Sequence, residues 1–213
     1  MKLNALPLSF FQRDAREVAE DLLGKIIVRS YEGFKLTGII VETEAYVGKI
    51  DKASHAYNYK RTPRTEPLFA NAGIAYVYKI YGMYNCMNIV TGAEGDPQGV
   101  LIRAIEPIEG VEIMSENRFK KPFSQLNSKE ILNLTSGPGK LCIAFNIDKS
   151  LNTHSIFSEE LTLYEANFKD FNIVYSKRIG IDYAEEAKDF LWRYYINGNK
   201  YVSVIDKKSS LSL

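Results

Sequence analysis

The chain has 213 residues, of which 46% are hydrophobic and 25% are charged, as in an ordinary soluble globular protein with a substantial core. The net charge of +1 argues neither for nor against a nucleic-acid partner, because only the local charge along a binding surface matters to a phosphate backbone. Two cysteines exclude a disulfide framework, and with no signal-peptide pattern and no apolar run of about 18 residues we expect a cytoplasmic protein without a membrane span.

The first predicted elements are a helix and a β-hairpin. Asp14 can cap a helix that extends to Leu23, where Gly24 supplies a stop. Two apolar strands follow, and the short polar link Glu32-Gly33 between them predicts a hairpin.

The second of these strands, GIIVETEAY at positions 38–46, carries two carboxylates. Strand alternation predicts one face of Ile39, Val41, Thr43 and Ala45, and an opposite face of Ile40, Glu42, Glu44 and Tyr46. A solvated face on a half-exposed sheet explains this pattern as well as a chemical site does. Periodicity alone cannot choose between the two glutamates, because they share a face.

A basic, irregular loop follows the strand, from position 48 to position 71. Between positions 49 and 64 it carries five Lys or Arg residues against one Asp, and a short helix is expected near His55. Half of the 14 tyrosines lie between Tyr46 and Tyr84. Tyrosine is a good strand former, but aromatic faces beside positive charge also suit stacking on nucleic-acid bases.

Three more strands are predicted after the loop. AYVYKI and YNCMNIVT form a second hairpin around a turn at Tyr81-Gly82, and VLIRAIEP follows. In that last strand Arg103 shares a side with Leu101 and Ile105, so it needs a carboxylate partner if it is buried.

The second half of the chain alternates short helices and short strands. Helices are predicted at 111–118 and 128–134 and after Pro138, and strands at 161–163 and 172–175. YAEEAKDFLWRYYI reads first as helical and then as extended, and YVSVID reads as a last strand. No composition break marks a domain boundary, so we predict one α+β domain over residues 1–213, with a curved, largely antiparallel sheet and surrounding helices.

Residue chemistry leaves several functions open. Glu44 beside a buried Arg103 could act as a general base toward a water molecule, although such a pair is also found as a purely structural ion pair. His55 and His154 are far apart and no His or Cys cluster is present, so no metal site and no cofactor are expected.

Seven motifs, taken in their order along the chain, resemble the alkyladenine (3-methyladenine) DNA glycosylase family, which is related to mammalian N-methylpurine DNA glycosylase. The resemblance extends from Leu6 to about Asp206, and several long ordered motifs together are far more specific than any one of them. The motifs are VETEAY, SHA, RTPR, YVYKIYGMYNCMN, VLIRAIEP, SGPGKLCIAF and YVSVID.

The resemblance implies a monofunctional glycosylase that extrudes alkylated or deaminated purines, such as 3-methyladenine and hypoxanthine, and hydrolyses the N-glycosidic bond in base excision repair. By this match Glu44 activates the attacking water, and Arg103 helps to hold the water and the carboxylate. Glu42 is then left with a structural or supporting role.

The same match implies the residues that bind the base. Tyr46 and Tyr78 sandwich the extruded base, and His55 stacks or hydrogen-bonds against the nucleotide. Asn88 lies at the pocket floor and discriminates against guanine, while Tyr81 enters the duplex to fill the vacated stack.

The expected partner is double-stranded DNA with damaged purines, bound by a monomer. Two other functions remain open: a nucleic-acid-binding module without activity, and a hydrolase of small nucleosides.

Overall fold

One open antiparallel sheet of eight strands organises the part of the chain that the structure describes. The structure, a computed structural model, describes residues 4–166 and 170–206. The main path of the sheet runs β3-β4-β5-β2-β1-β6, and β8 pairs with both β2 and β7. The strands are β1 (Ile26–Tyr31), β2 (Phe34–Val47), β3 (Ala75–Ile80), β4 (Tyr84–Thr91), β5 (Gln98–Glu109), β6 (Leu161–Tyr164), β7 (Ile173–Ser176) and β8 (Arg193–Ile196).

Short helices surround the sheet, so the predicted α+β class is confirmed. The α-helices are α1 (Leu8–Phe11), α2 (Ala15–Asp21), α3 (Val111–Phe119), α4 (Ser128–Leu132) and α5 (Pro138–Ala144). Single 3-10 turns occupy Tyr57–Tyr59, Glu66–Phe69, Phe123–Gln125, Lys149–Leu151 and Glu185–Asp189. In the part of the chain that the structure describes, no helix is both long enough and apolar enough to cross a bilayer.

Local signals in the sequence explain the first elements. The side chain of Asp14 accepts a hydrogen bond from the Arg16 amide and so caps α2, as predicted. Glu32 and Gly33 both adopt positive φ, at 50° and 79°, which matches the twist of a two-residue hairpin turn between β1 and β2.

The 14-residue strand β2 is the centre of the sheet. Its first half pairs with β1, its second half pairs with β8 along the same edge, and β5 runs along its other edge. The β2–β5 ladder shifts register three times, and two successive shifts near its middle leave Val41 on β2 and Arg103 on β5 without a partner in this ladder. These are two compensating β-bulges, a device that re-aims side chains.

The bulge at Val41 makes one prediction from the strand alternation wrong, the one that concerns Ile40. Beyond it the alternation holds, because Ala45 and Val47 belong to the core. Ahead of it the alternation changes phase, because Ile40 also packs into the core instead of sharing the face of the two carboxylates. The assignment of Ile40 to that face was therefore wrong.

The main apolar cluster lies on one face of β2 to β5, and two smaller buried apolar clusters lie apart from it. Helices α2 and α5 cover the main cluster, packing against β2, β4 and β5. Buried core residues from the strands and helices include Ala45, Val47, Val77, Met87, Ile89, Val100, Ile102, Ala15, Val18, Ala19, Leu22, Leu141, Cys142 and Ala144. The opposite face of β2, β3, β4 and β5 is thereby left for other contacts.

The prediction of a final strand at YVSVID is also wrong. Residues 201–206 form no strand. Their backbone groups bond to side chains instead, since the Ser203 amide donates to Glu42, the Val204 carbonyl accepts from Arg193, and the Asp206 amide donates to the Tyr195 hydroxyl. Side chains of β2 and β8 thus supply hydrogen bonds that a neighbouring strand would otherwise supply.

Candidate active site

A cavity of about 340 Å³ lies over the sheet face that points away from the core. Cavities of this size can hold a small-molecule ligand or a part of a larger one. Its lining includes side chains from β2 to β5, from the 48–71 loop and from the segment after β7: Tyr46, Tyr76, Tyr78, Cys86, Asn88, Leu101, Arg103, His55, Arg64, Leu68, Ile179, Ile181 and Tyr183. Six of the seven residues singled out in the sequence line this cavity, Tyr81 among them.

The seventh, Glu44, lies directly behind the lining. Its side chain is 0% exposed, and it accepts hydrogen bonds from the Tyr46 hydroxyl and the Ile179 amide, each at 2.8 Å. Nη1 of Arg103 lies 3.3 Å from its Oε1 atom. A water molecule in the cavity would therefore reach Glu44 past Tyr46, Arg103 and Ile179, all of which contact its carboxylate.

Arg103 is nearly buried and is shared by two carboxylates. Its Nε atom donates to Glu42 at 2.9 Å, while Nη1 faces Glu44. Burial alone would lower the pKa of Arg103, but the charges of Glu44 and Glu42 outweigh that effect and raise it. Arg103 therefore stays charged at the inner wall of the cavity.

Two tyrosines from different strands present their rings to the cavity. The Arg178 guanidinium lies 4.7 Å from the ring centroid of Tyr46. Burial, and then the charge of Glu44, hold the pKa of Tyr46 well above its ordinary value, so its hydroxyl remains a donor. The ring of Tyr78 meets the imidazole of His55 edge-on, with centroids 4.6 Å apart.

His55 is held as a neutral imidazole. Its Nδ1 atom lies 3.0 Å from the Tyr76 hydroxyl, and its Nε2 atom lies 3.2 Å from a guanidinium nitrogen of Arg64. Because a guanidinium can only donate, Nε2 must accept, and the ring proton is assigned to Nδ1. Burial, together with the charge of Arg64, lowers the pKa of His55 to about 4.

The lining of the cavity includes an unsatisfied donor. Asn88 on β4 is buried, and its Nδ2 atom has no hydrogen-bond partner in the protein. A buried amide without a partner is costly, so it favours a ligand with an acceptor atom at that point. Nearby, burial raises the pKa of the Cys86 thiol to about 11, which keeps it protonated and unreactive.

Tyr81 lies at the tip of the β3–β4 hairpin. Tyr81 and Gly82 have φ angles of 52° and 70°, which confirms the predicted turn. The Tyr81 side chain is 78% exposed although it borders the cavity. The hairpin turn therefore holds an exposed aromatic ring at the edge of the cavity.

A buried ion pair joins the two segments that cover the cavity. Nη2 of Arg178 donates to Oδ1 of Asp51 at 2.7 Å, and Nη1 of Arg178 donates to the Ala45 carbonyl at 2.8 Å. Both charged side chains are fully buried. The pair therefore fixes the start of the basic loop against the segment that supplies the Ile179 amide to Glu44.

Sequence reasoning missed several residues of this site. Arg193 lies in the apolar run LWRYYI, so the argument that singled out Arg103 would have found it too. Asp51, Arg178 and Ser203 carry no pattern that separates them from surface residues. Their burial depends on contacts between distant parts of the chain.

The arrangement can hold a flat aromatic ligand and activate water beside it. Two tyrosine rings and a neutral histidine offer stacking surfaces, Asn88 offers a donor, and Glu44 can accept a proton. Within residues 4–166 and 170–206, no group of three His, Cys, Asp or Glu side chains is placed to hold a metal ion.

Comparison with known proteins gives one family. The family model for methylpurine-DNA glycosylase matches residues 9–200. A candidate 3-methyladenine DNA glycosylase of Clostridium tetani is 58% identical over 195 residues, which cover 91% of this chain and 96% of the relative. A protein of Clostridium botulinum with the same name is 54% identical over 200 residues, which cover 93% of this chain and 98% of the relative.

Proposed function

The chain belongs to the methylpurine-DNA glycosylase family, and we propose that it excises 3-methyladenine and related alkylated or deaminated purines, hypoxanthine among them, from double-stranded DNA. The reaction hydrolyses the N-glycosidic bond and leaves an abasic site. The observation that carries this proposal is a buried Glu44, held by Arg103 and Tyr46, behind a cavity walled by tyrosines.

The base must leave the duplex before it can enter this cavity. Extrusion costs a few kcal/mol, and least for a damaged base. Tyr81, exposed on the hairpin tip, enters the duplex and takes the place of the lost base in the stack, as wedge residues do. The basic 48–71 loop holds the backbone phosphates.

Inside the cavity the base stacks between Tyr46 and Tyr78, and His55 stacks or hydrogen-bonds against the nucleotide. N-alkylation makes a purine electron-poor and in some lesions cationic, and electron-rich tyrosine faces attract such a ring. The unpaired Nδ2 atom of Asn88 donates to an acceptor on the base. The same donor opposes the exocyclic amino group of guanine, because two donors cannot pair.

The chemical step uses one water and one carboxylate. The water oxygen bonds to C1′ as the C1′–N bond breaks, and Glu44 takes the proton that the water loses. The electron pair of the broken bond goes to the departing base, which neutralises a cationic lesion such as 3-methyladenine, whereas a neutral lesion such as hypoxanthine must also gain a proton as it leaves. The proposal requires no cofactor and no metal ion.

The assembly and location follow from the same proposal. One chain supplies every residue named in the mechanism, so we propose a monomer. The substrate is chromosomal DNA, so we propose that the protein acts in the bacterial cytoplasm, as suits relatives from clostridia.

The substitution Glu44→Gln tests the proposal. It should slow single-turnover release of 3-methyladenine from methylated duplex DNA by between about 10² and 10⁴-fold, because the amide cannot accept the proton. Affinity for a duplex with the uncleavable analogue 3-methyl-3-deazaadenine should stay within about threefold of wild type. Glu20→Gln is the matched control, since Glu20 is a hydrogen-bonded carboxylate on α2, outside the site.

Three results would contradict the proposal. A Glu44→Gln variant with near wild-type release would remove Glu44 from the mechanism. Binding of lesion DNA by the wild-type protein without release of a base would indicate a binding module. Cleavage of free inosine with methylated DNA left intact would indicate a nucleoside hydrolase.

A further inference from the structure

Glu42 is a second buried carboxylate, and the proposed mechanism gives it no role. It is 0% exposed and accepts four hydrogen bonds. Oε1 accepts from Nε of Arg103, Nη1 of Arg193 and Oγ of Ser203, each at 2.9 Å. Oε2 accepts from the Ser203 amide at 2.7 Å. No atom of Glu42 lines the cavity.

Glu42 holds the arginine that faces Glu44. The three guanidinium nitrogens of Arg103 have three different partners: Nε bonds to Glu42, Nη2 lies 3.3 Å from Oγ of Ser203, and Nη1 faces Glu44. A planar guanidinium with two nitrogens fixed has its third direction fixed as well. Glu42 and Ser203 therefore set the direction in which Arg103 presents Nη1.

Arg103 needs side chains to hold it in position because strand pairing does not do so. Arg103 is the unpaired residue of the bulge in β5, so the β2–β5 ladder does not fix its position as it fixes that of its neighbours. The Arg103 side chain is anchored instead through Glu42. Glu42 is anchored in turn by Arg193 on β8 and by Ser203, neither of which touches the cavity.

Charge balance points the same way. Glu42 contacts both Arg103 and Arg193, so it offsets much of the positive charge next to Glu44. Its contact with Arg103, at 2.9 Å, is shorter than that of Glu44, at 3.3 Å. Arg103 is thus shared between Glu42 and Glu44, and the charge of Glu42 keeps Arg103 from being neutralised by Glu44 alone.

We propose that Glu42, held by Arg193 and Ser203, is a positioning residue for base excision that orients Arg103 and through it Glu44. The proposal rests on the function proposed above. It assigns to the segment around Ser203 a part in the reaction, although that segment lies outside the cavity.

The test is Glu42→Gln, which keeps the shape of the side chain and removes its charge. Single-turnover release of 3-methyladenine should fall by about 10²-fold per active molecule, because a small displacement of catalytic groups has effects of that size. The dissociation constant for the 3-methyl-3-deazaadenine duplex should change by less than about threefold. Glu106→Gln is the matched control, since Glu106 on β5 accepts a hydrogen bond from Asn199 away from the cavity.

Two further variants keep the test decisive if Glu42→Gln does not fold. Ser203→Ala removes one hydroxyl that contacts Glu42 and Arg103, and it should slow release by several-fold with unchanged lesion affinity. Glu42→Gln/Arg193→Met restores charge balance, and it should fold better than the single variant yet remain slow. A wild-type release rate in Ser203→Ala, or in the double variant, would overturn the proposal.

The wild-type and control proteins distinguish a failure of this inference from a failure of the proposed function. A folded wild-type protein that releases no methylated purine contradicts the function itself. Active wild-type and Glu106→Gln proteins beside an equally active Glu42→Gln protein contradict only the role of Glu42.

Discussion

His55 shows how a titratable side chain is kept uncharged inside a basic loop. Nε2 of the ring accepts from Arg64, so protonation would place two positive charges against each other. The edge-on contact with Tyr78 also requires the ring to stay in one orientation. A neutral His55 can stack on a cationic lesion without repelling it, which suits the base that we propose for the cavity.

The lowered pKa of His55 predicts a pH dependence of stability. Its pKa is about 4 in the folded chain and about 6.5 when unfolded, so between these values the unfolded chain binds more protons and stability falls as pH falls. Between pH 7 and pH 4.5, the unfolding free energy of the wild type should therefore fall further than that of His55→Gln. The extra loss should not exceed about 2 kcal/mol, because partial exposure of His55 screens the effect. Urea unfolding at both pH values measures this difference, and parallel losses in the two proteins would contradict it.

At the scale of single residues, a buried charged residue can be predicted from the sequence where it breaks a local pattern. Arg103 stands out because a charge in an apolar strand needs a partner, and the structure supplies Glu42 and Glu44. Asp51 lies in a loop where charged residues are ordinary, so nothing local indicates its burial against Arg178.

The paired bulges in β2 and β5 limit what alternation can predict. Alternation places Glu42, Glu44 and Tyr46 together on one face, and the structure brings all three to the cavity side of the sheet. It fails at Ile40, since the bulge at Val41 shifts the phase by one residue. A bulge arises from the pairing of two strands, so it cannot be predicted from either strand alone.

The β3–β4 hairpin carries a second prediction. Tyr81→Ala should weaken binding of lesion duplexes by about tenfold or more and slow excision, because stacking of one aromatic side chain on a base contributes about 1–3 kcal/mol. The unfolding midpoint should hardly change, since the ring is mostly exposed. Fluorescence anisotropy with the 3-methyl-3-deazaadenine duplex measures the affinity.

Phe34→Ala is the control for this prediction. Phe34 is also an exposed aromatic residue beside a hairpin turn, but it lies at the far end of β2 from Glu44. Equal effects of the two substitutions on lesion binding would remove Tyr81 from the DNA interface.

At the scale of the whole molecule, the cavity exists because two segments cover one sheet face. The 48–71 loop and the segment after β7 meet at the buried pair of Asp51 and Arg178. A second, more exposed contact joins Lys52 to Glu185 and Glu186, at 2.7 Å and 2.9 Å. The wall behind Tyr46 therefore depends on an ion pair rather than on apolar packing alone.

Breaking this pair should destabilise the protein strongly. Asp51→Asn leaves the Arg178 guanidinium buried without a counter-charge, and such changes cost about 3–5 kcal/mol of unfolding free energy. Asp51→Leu/Arg178→Met should recover much of the loss, because no charge stays buried. Chemical denaturation measures both variants.

The exposed pair Lys177–Asp189 provides the control. Asp189→Asn should leave the unfolding midpoint nearly unchanged, because water screens exposed ion pairs. If Asp51→Asn were as mild as this control, Asp51 and Arg178 would not hold the two segments together.

The overall architecture could be predicted only in part. Strand and turn signals gave the α+β class, both hairpins and nearly all elements, because these depend on short-range periodicity. The pairing of β2 with both β1 and β8 depends on contacts across most of the chain, which no local pattern encodes. The irregular end at 201–206 was misread as a strand for the same reason.

The contact between Glu42 and Ser203 joins residues 161 positions apart, and this has a consequence for protein synthesis. A ribosome makes the N-terminal strands first, so β2 emerges with its buried carboxylate long before the residues that complete its surroundings. The residues that we place in the mechanism have all been translated once Arg103 appears, but Arg193 and Ser203, which hold Glu42 against Arg103, follow about 90 and about 100 residues later. A nascent or prematurely terminated chain would thus carry the whole set of reacting groups before the groups that align them, and we expect full excision activity only after translation has passed Ser203.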